Sequence, residues 1–509
     1  MRILLWHVHG AWTTAFVQGE HQYVVPVTAD RGPDGLGLAR TYAWPDNVTE
    51  VPLESLPEHE FDAVIYQRPH ELDLLAPAGR AFYVEHNAPQ GPIAGMRHPM
   101  AEDPSNGMWL SDTEPSAIDV HKLRRERLAK LRGWLKASGY GAVILFDPYN
   151  QRYATGTRNM FGYFLRNSTR YIFIPTEGPI TLFDYPQSYH VSTALETIDE
   201  ARPSKLVWSS VSGKDEATAD PFAAEIADLM RQQAPGLKKI GMDRCTHLQA
   251  LALEAQGLEV KDCQGEILSV RAVKTPEEIK CLQVSMAGAE AAVAAVREAI
   301  KPGVSENELF AVMYGEVIRQ GGEFIETRLL TTGQRTNPWF NEASGRRVRP
   351  GELVALDTDT IGCYGYYSDF SRTFRCGPGR PTDHQKMLYR MSYDQVQHNI
   401  GLIKPGIAFR EIADRAWKIP ERFVDQRYTS VMHGVGMHGE TPFIAHAIDF
   451  ETYGREGHLV PGMVVSVESY IGEKGGREGV KLEEEVLVTE TGGALISRFP
   501  FEEDFLGHG

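Results

Sequence analysis

Cysteine is scarce in this chain: five residues in 509, Cys245, Cys263, Cys281, Cys363 and Cys376, with no C-x-x-C pair among them. An odd number of scattered thiols indicates no disulfide framework and suits a reducing compartment. No uninterrupted apolar run reaches the roughly 18 residues of a membrane span. The N-terminal run ILLWHV is broken at His7 and His9 and is too short for a signal-peptide core. Basic charge is outweighed, 52 Lys and Arg against 68 Asp and Glu, for a net charge of −16. That balance excludes a surface built to wrap nucleic acid or to lie on an anionic membrane. Low-complexity tracts are also missing. The expectation is a cytoplasmic protein with neither a nucleic-acid nor a membrane partner.

What is present is an ordinary globular composition, 42% hydrophobic and 24% charged, on a chain too long for one core. Three domains are read. Residues 1–112 hold short apolar runs at 3–8, 23–27, 61–67 and 81–86 that predict strands of a small α/β layer, followed by a proline-rich linker from Asn87 to Pro115. Residues 113–270 open with a helix-spaced stretch from Ile118 to Leu135. The strands AVILF (142–146), YIFI (171–174), ITLF (180–183) and LVW (206–208) and a turn at DPYN (147–150) complete a second α/β unit. Residues 271–509 begin with Thr275-Pro276-Glu277-Glu278, an N-cap, a first-turn proline and early acids ahead of a long helix. A second capped helix starts near Ser305, and antiparallel strands with Gly-rich turns follow, giving an α+β unit. MRILLWHVHGAW, FDAVIYQRPHELDLL and AFYVEHNAPQG resemble the N-terminal half of two-lobed glycosyltransferases. The donor-binding second half of such enzymes does not follow, so an accessory role is expected for this segment.

The chemistry concentrates in the third unit. ELVALDTDTIGCYGYYSDFSRTF reads as a hairpin turning at Gly362-Cys363-Tyr364-Gly365. Strand alternation predicts that Asp357 and Asp359 share a face, with Asp369 returning beside them. One aspartate in a strand reads equally well as a solvated acid. Three crowded carboxylates repel one another unless a cation compensates them. His433 lies in VMHGVGMHGETP, where glycines allow close backbone approach to an imidazole. Glu468 and Glu483 interrupt the apolar strands MVVSVESY and GVKLEEEVLV, and an acid inside a core strand needs a partner. Together these form an oxygen-dominated donor set suited to a pair of divalent ions, Mn, Fe, Co or Zn.

The order Asp, Asp, His, Glu, Glu in these local sequences resembles the creatinase/methionine-aminopeptidase, or pita-bread, family that includes prolidase and Xaa-Pro aminopeptidase. The likeness spans about residue 118 to the C-terminus. It implies α/β N-terminal domains followed by an α+β pita-bread catalytic domain, a homodimer, and Asp357, Asp369, His433, Glu468 and Glu483 as ligands with Glu483 bridging. Three departures stand out. Asp357 and Asp359 lie twelve and ten residues before Asp369, not the peptidases' eleven. His438 follows His433 by five, and the following proline comes one residue early. The peptidase histidine expected ahead of the hairpin is missing, with Trp339 and Phe340 in its place.

In these departures the chain is similar to the branch of the family that contains dimethylsulfoniopropionate lyases. That likeness implies Asp359 as a sixth ligand, Tyr428 as an active-site tyrosine, and Trp339 and Arg335 as substrate contacts. A core tryptophan and a surface arginine are the alternatives for the last two. The aspartate that serves that branch as base, six after the metal histidine, corresponds to Gly439. His438 and Glu440 sit in the loop fixed by His433 and are candidates to move protons, the alternative being that each only braces the loop. The resulting expectation is a hydrolase of Xaa-Pro or related small peptide and amide substrates that works through a dinuclear metal-activated water. The alternatives are a carbon–sulfur lyase acting on dimethylsulfoniopropionate or a similar small carboxylate, and a metal-free binding module.

Overall fold

The computed structural model describes residues 1–507 apart from 9–12, 15, 39–43, 69, 76–79, 84–117 and 208–215. The first apolar runs form a five-stranded sheet of β1 (Arg2–Leu5), β2 (Gln22–Val27), β3 (Val48–Pro52), β4 (Ala63–Tyr66) and β5 (Arg80–Tyr83), in the order β3-β2-β1-β4-β5. All its pairings are parallel. Ile3 and Leu5 pack with Tyr23, Val25 and Ile65 on one face, and Leu4 and Trp6 with Val24, Val64 and Tyr66 on the other. A parallel strand covered on both faces needs apolar residues in succession, as this run has. The sequence reading did not include β3, and the linker read at 87–115 lies outside the described residues.

The second unit starts with α1 (Val120–Ala137) and β6 (Ala142–Leu145). The turn expected at 147–150 is instead the start of α2 (Pro148–Thr155). The Asp147 carboxylate accepts the Tyr149 N–H and Pro148 fills the first turn, so acid and proline act as helix-start signals. The sheet continues with β7 (Tyr171–Pro175), β8 (Thr181–Asp184), β9 (Glu200–Pro203), β10 (Lys239–Met242) and β11 (Glu259–Asp262), ordered β11-β10-β6-β7-β8-β9. The strand expected at 206–208 lies earlier, as β9. Leu206 and Val207 are irregular and Trp208 is not described. Helices α3 (Glu216–Gln233), α4 (His247–Ala255) and α5 (Gln264–Ala272) complete this layer.

In the third unit α6 (Pro276–Ala299) and α7 (Glu306–Arg319) both open with a capping box, Thr275 with Glu278 and Ser305 with Glu308. Among the described residues α6 alone has the length and apolarity to cross a bilayer. Its Met286, Ala289, Val293 and Val296 are buried against Leu309, Met313 and Val317, the contacts of a core helix. The strands are β12 (Phe324–Ile325), β13 (Leu330–Thr332), β14 (Leu353–Asp357), β15 (Thr360–Ile361), β16 (Tyr367–Ser368), β17 (Ser371–Arg375), β18 (Met432–Val435), β19 (Gly439–Ile444), β20 (Val464–Gly472), β21 (Gly479–Val488) and β22 (Gly493–Leu495). They form three antiparallel sheets, β12-β15-β16, β13-β14-β17 and β19-β18-β20-β21-β22. Helix α8 (Asp383–Ile400) buries Leu388, Tyr389 and Val396 against Val465, Val467, Leu482 and Val486. Because strand side chains alternate, the residues between these valines and leucines turn to the opposite face.

Candidate metal centre

That opposite face carries the acids. Glu468 in β20 lies directly across from Glu483 in β21, and Tyr470 lies across from Lys481. Asp357 ends β14 and is paired in register with Ser371 of β17. Beyond it the alternation expected for the hairpin stops. Asp359 adopts a left-handed conformation (φ 40°) between β14 and β15, and its carboxylate accepts hydrogen bonds from Thr327 Oγ1 and the Tyr367 hydroxyl. Asp369 follows β16, held by its N–H to Glu485 Oε2 at 3.1 Å and by its carbonyl to Ser466 Oγ at 3.0 Å.

His433 enters from β18. Its Nδ1 lies 3.1 Å from the Gly434 carbonyl, and a carbonyl only accepts, so Nδ1 carries the proton and Nε2 faces the acids. Nε2 is 3.2 Å from Asp369 Oδ2, 3.2 Å from Glu468 Oε1 and 3.8 Å from Glu483 Oε1. Ligand atoms of Asp369, His433 and Glu483 lie within 4.8 Å of one another. Among the described residues, no donor other than the His433 imidazole reaches the two buried glutamate Oε1 atoms. Unsatisfied buried carboxylate oxygens converging on an imidazole nitrogen are the donor set a divalent transition metal takes, so these residues fit such an ion.

Burial pushes the carboxyls of Asp357, Asp369 and Glu483 above their ordinary range, and neighbouring carboxylates add to this. Asp359 is raised to about 6 by burial and by Asp357. Burial alone would lower His433, but hydrogen bonds and charge from Asp369 and Glu468 outweigh it and hold the imidazole well above its usual value. The crowding is eased by a residue the sequence reading passed over. Lys481, fully buried, places Nζ 2.7 Å from Glu468 Oε2, 2.9 Å from Glu483 Oε2 and 3.4 Å from Asp357 Oδ2. Ser371 Oγ links Asp357 Oδ1 at 2.7 Å to Glu483 Oε2 at 2.8 Å. The signal was available, because Lys481 stands two residues before Glu483 and so shares its face.

Residues 280–490 match metallopeptidase family M24, and residues 127–273 match the creatinase/prolidase N-terminal domain. The chain is 34% identical to a dimethylsulfoniopropionate lyase, DddP, of Roseovarius nubinhibens, over 80% of this chain and 97% of that protein. The chain belongs to metallopeptidase family M24. A Xaa-Pro dipeptidase of Pyrococcus furiosus is 29% identical over 47% of this chain and 67% of its own length. Among solved structures, a Xaa-Pro dipeptidase from Bacillus anthracis superposes with a TM-score of 0.60 at 22% identity, covering 74% of this chain and 99% of its own. The M24 architecture is therefore α/β N-terminal domains followed by an α+β pita-bread domain.

The remaining sequence-derived candidates of this M24 enzyme fall into two groups. Tyr428 and Trp339 stand beside the acids, with Lys481 Nζ 4.6 Å from the Tyr428 ring centroid and 5.8 Å from that of Trp339. Trp339 packs on Ala355 and Tyr470, and its buried indole N–H has no acceptor among the described residues. Burial holds the Tyr428 phenol well above its ordinary pKa, followed by the charge of Glu468. Arg335, His438 and Glu440 each contact residues outside that acid cluster. The Arg335 guanidinium bonds Glu306 at 2.7 Å, Ser344 at 2.5 Å and the Glu342 carbonyl at 2.6 Å. His438 rests on Tyr149 of α2 with ring centroids 4.8 Å apart, and burial, then Arg271, lowers its pKa.

Glu440 is clamped. It pairs with Arg271 at the end of α5, lies 3.6 Å from Lys274 Nζ, and accepts the Met437 N–H at 2.8 Å. Burial would raise its pKa, but Arg271, Lys274 and His438 bring it down to about 2. With the folded value depressed below the ordinary 4.5, its contribution to stability is complete above about pH 4.5 and is lost as pH falls toward 2. Glu440→Gln is therefore predicted to lower the urea midpoint at neutral pH and to shallow its decline between these values. An unaltered pH slope in the variant would detach Glu440 from the acid sensitivity of the fold.

Proposed function

We propose that this chain is a metal-dependent hydrolase acting on Xaa-Pro or related small peptide and amide substrates. Asp357, Asp359, Asp369, His433, Glu468 and Glu483 would hold the divalent ions, with two as the full complement and Mn, Fe, Co or Zn as the candidates. Ions bound there acidify water and polarise a carbonyl. The chain's own groups supply the rest. Neutral His438 takes a proton at one ring nitrogen and returns it to the leaving amine. The Tyr428 hydroxyl, kept protonated, donates to the oxygen that gains charge. The unsatisfied Trp339 N–H donates to a substrate oxygen, since a buried donor without an acceptor is costly. Arg335 steadies the segment that carries Trp339, and Glu440 fixes the His438 loop through Met437. Assembly as a cytoplasmic homodimer belongs to the same proposal and is checked by sedimentation.

The observation that carries hydrolysis is Gly439. A Cβ there would lie 3.9 Å from Cε1 and Nδ1 of the His433 ring, so the position abuts the ligand imidazole yet bears no group to take a proton from carbon. The lyase reading, acting on dimethylsulfoniopropionate or a similar carboxylate, draws support from the 34% identity to a lyase of that name. A side-by-side assay of Mn-, Fe-, Co- and Zn-loaded protein on Xaa-Pro dipeptides and dimethylsulfoniopropionate separates the two. Peptide cleavage that disappears in His438→Ala with metal retained is the expected result. Release of acrylate and dimethyl sulfide without any cleavage would replace it with the lyase reading.

A further inference from the structure

Two neighbouring residues in the first turn of α2, which belongs to the N-terminal creatinase/prolidase-type domain, reach the loop that carries His438. The Tyr149 N–H bonds the Asp147 carboxylate at 2.8 Å, and the N–H groups of Asp147 and Phe146 bond the buried Asp243 at 3.0 Å and 2.7 Å. The Tyr149 backbone is thereby fixed to its own domain, while its side chain, only 6% exposed, crosses to the catalytic one. Its ring meets Phe161 edge-on at 4.6 Å and the His438 imidazole at 4.8 Å. Its hydroxyl donates to the Glu326 carboxylate, and the Glu326 N–H bonds the Asp359 carbonyl at 2.9 Å. Asn150, the next residue, accepts from Arg271 at 2.7 Å, and Arg271 pairs with Glu440, which receives the Met437 N–H. The loop from Met437 to Glu440 is therefore held by α2 twice, at its backbone through Asn150 and at the His438 ring through Tyr149.

We propose that Tyr149 is the positioning residue of His438, so that the N-terminal domain completes the proton-transferring side of the catalytic site. A proton carrier acts only when its nitrogen lies within hydrogen-bonding reach of the reacting atom. His438 directly precedes Gly439 and follows Gly436 by two residues, and the bonds that hold this loop at Met437 and Glu440 leave the plane of the imidazole unset. The Tyr149 ring sets that plane by packing, and Glu326 keeps the phenol from turning away. Since Glu326 is bonded to the Asp359 backbone, the same anchor fixes the distance between His438 and the acids of the hairpin. The inference rests on the hydrolase reading above, in which His438 carries the proton.

The test uses the full metal-loaded chain on Xaa-Pro dipeptides. Tyr149→Ala is expected to lower kcat by about 30-fold or more, with KM within about threefold of wild type and metal content unchanged. Tyr149→Phe, which keeps the ring, should recover kcat to within about fivefold. In the His438→Ala background Tyr149→Ala should change kcat by less than about twofold, because a residue that acts only through His438 has nothing left to position. Should Tyr149→Ala not fold, Tyr149→Leu fills the space without ring or hydroxyl and carries the same expectations. Wild-type kcat in folded Tyr149→Leu, or an equal further loss when either substitution is added to His438→Ala, would overturn the inference and leave the hydrolase reading intact. Undiminished cleavage by His438→Ala would overturn the role given to His438 and this inference with it, and absence of cleavage by wild type would overturn the hydrolase reading as well.

Discussion

Asp369→Ala is expected to leave the purified chain unable to retain a divalent ion, with metal affinity lower by at least about 100-fold and turnover lost with it. Asp369 is the acid best placed for such an effect. Its Oδ2 faces His433 Nε2, its backbone is fixed at both ends by Glu485 and Ser466, and burial raises the cost of its charge unless a cation is present. Asp359→Ala is expected to match it in metal content, as the sixth oxygen donor of the set. Because Asp359 also accepts from Thr327 and Tyr367, a folded variant with near-normal metal and only reduced stability would remove it from the ligands. Metal analysis and thermal melting of both variants, prepared in parallel, decide the matter.

Arg271→Ala is expected to cost about 3–5 kcal/mol, the range for leaving one member of a buried ion pair uncompensated. Arg271 and Glu440 are each 1% exposed at the side chain, and Arg271 also bonds Asn150 of α2 at 2.7 Å. Removing the guanidinium therefore leaves the buried Glu440 with only Lys274 at 3.6 Å and the Met437 N–H, and removes the tie from α5 to β19. Chemical denaturation should show the loss, and Arg271→Ala combined with Glu440→Gln should recover part of it. A single variant as stable as wild type would mean that water reaches Glu440 and screens it.

The legibility of this chain in its sequence follows what local chemistry can encode. Thr275 and Ser305 announce their helices because a capping box is a contact between residues three apart. Glu468 and Glu483 stand out because an acid in a core strand conflicts with its neighbours. Asp147-Pro148 misleads, since the same pair opens a turn or a helix, and here it caps the helix Pro148–Thr155. Asp359 departs from alternation through a left-handed φ that strand patterning does not encode, and its carboxylate meets Thr327 and Tyr367, which are distant or returning residues. Glu440 looks like a proton carrier until Arg271, 169 residues earlier, is seen to hold it. Lys481 was visible as a strand neighbour of Glu483, but its enclosure by three carboxylates depends on β14, β20 and β21 meeting.

The cross-strand pairing of Glu468 with Glu483 means that folding and metal capture check each other. A slip of one residue in β20 against β21 would offset the two acids and turn one of them toward the apolar layer beneath α8. Only the correct alignment presents both oxygens to one ion. Metal available during folding would therefore proofread the hairpin, rewarding the aligned strands and leaving slipped forms without a ligand to stabilise them.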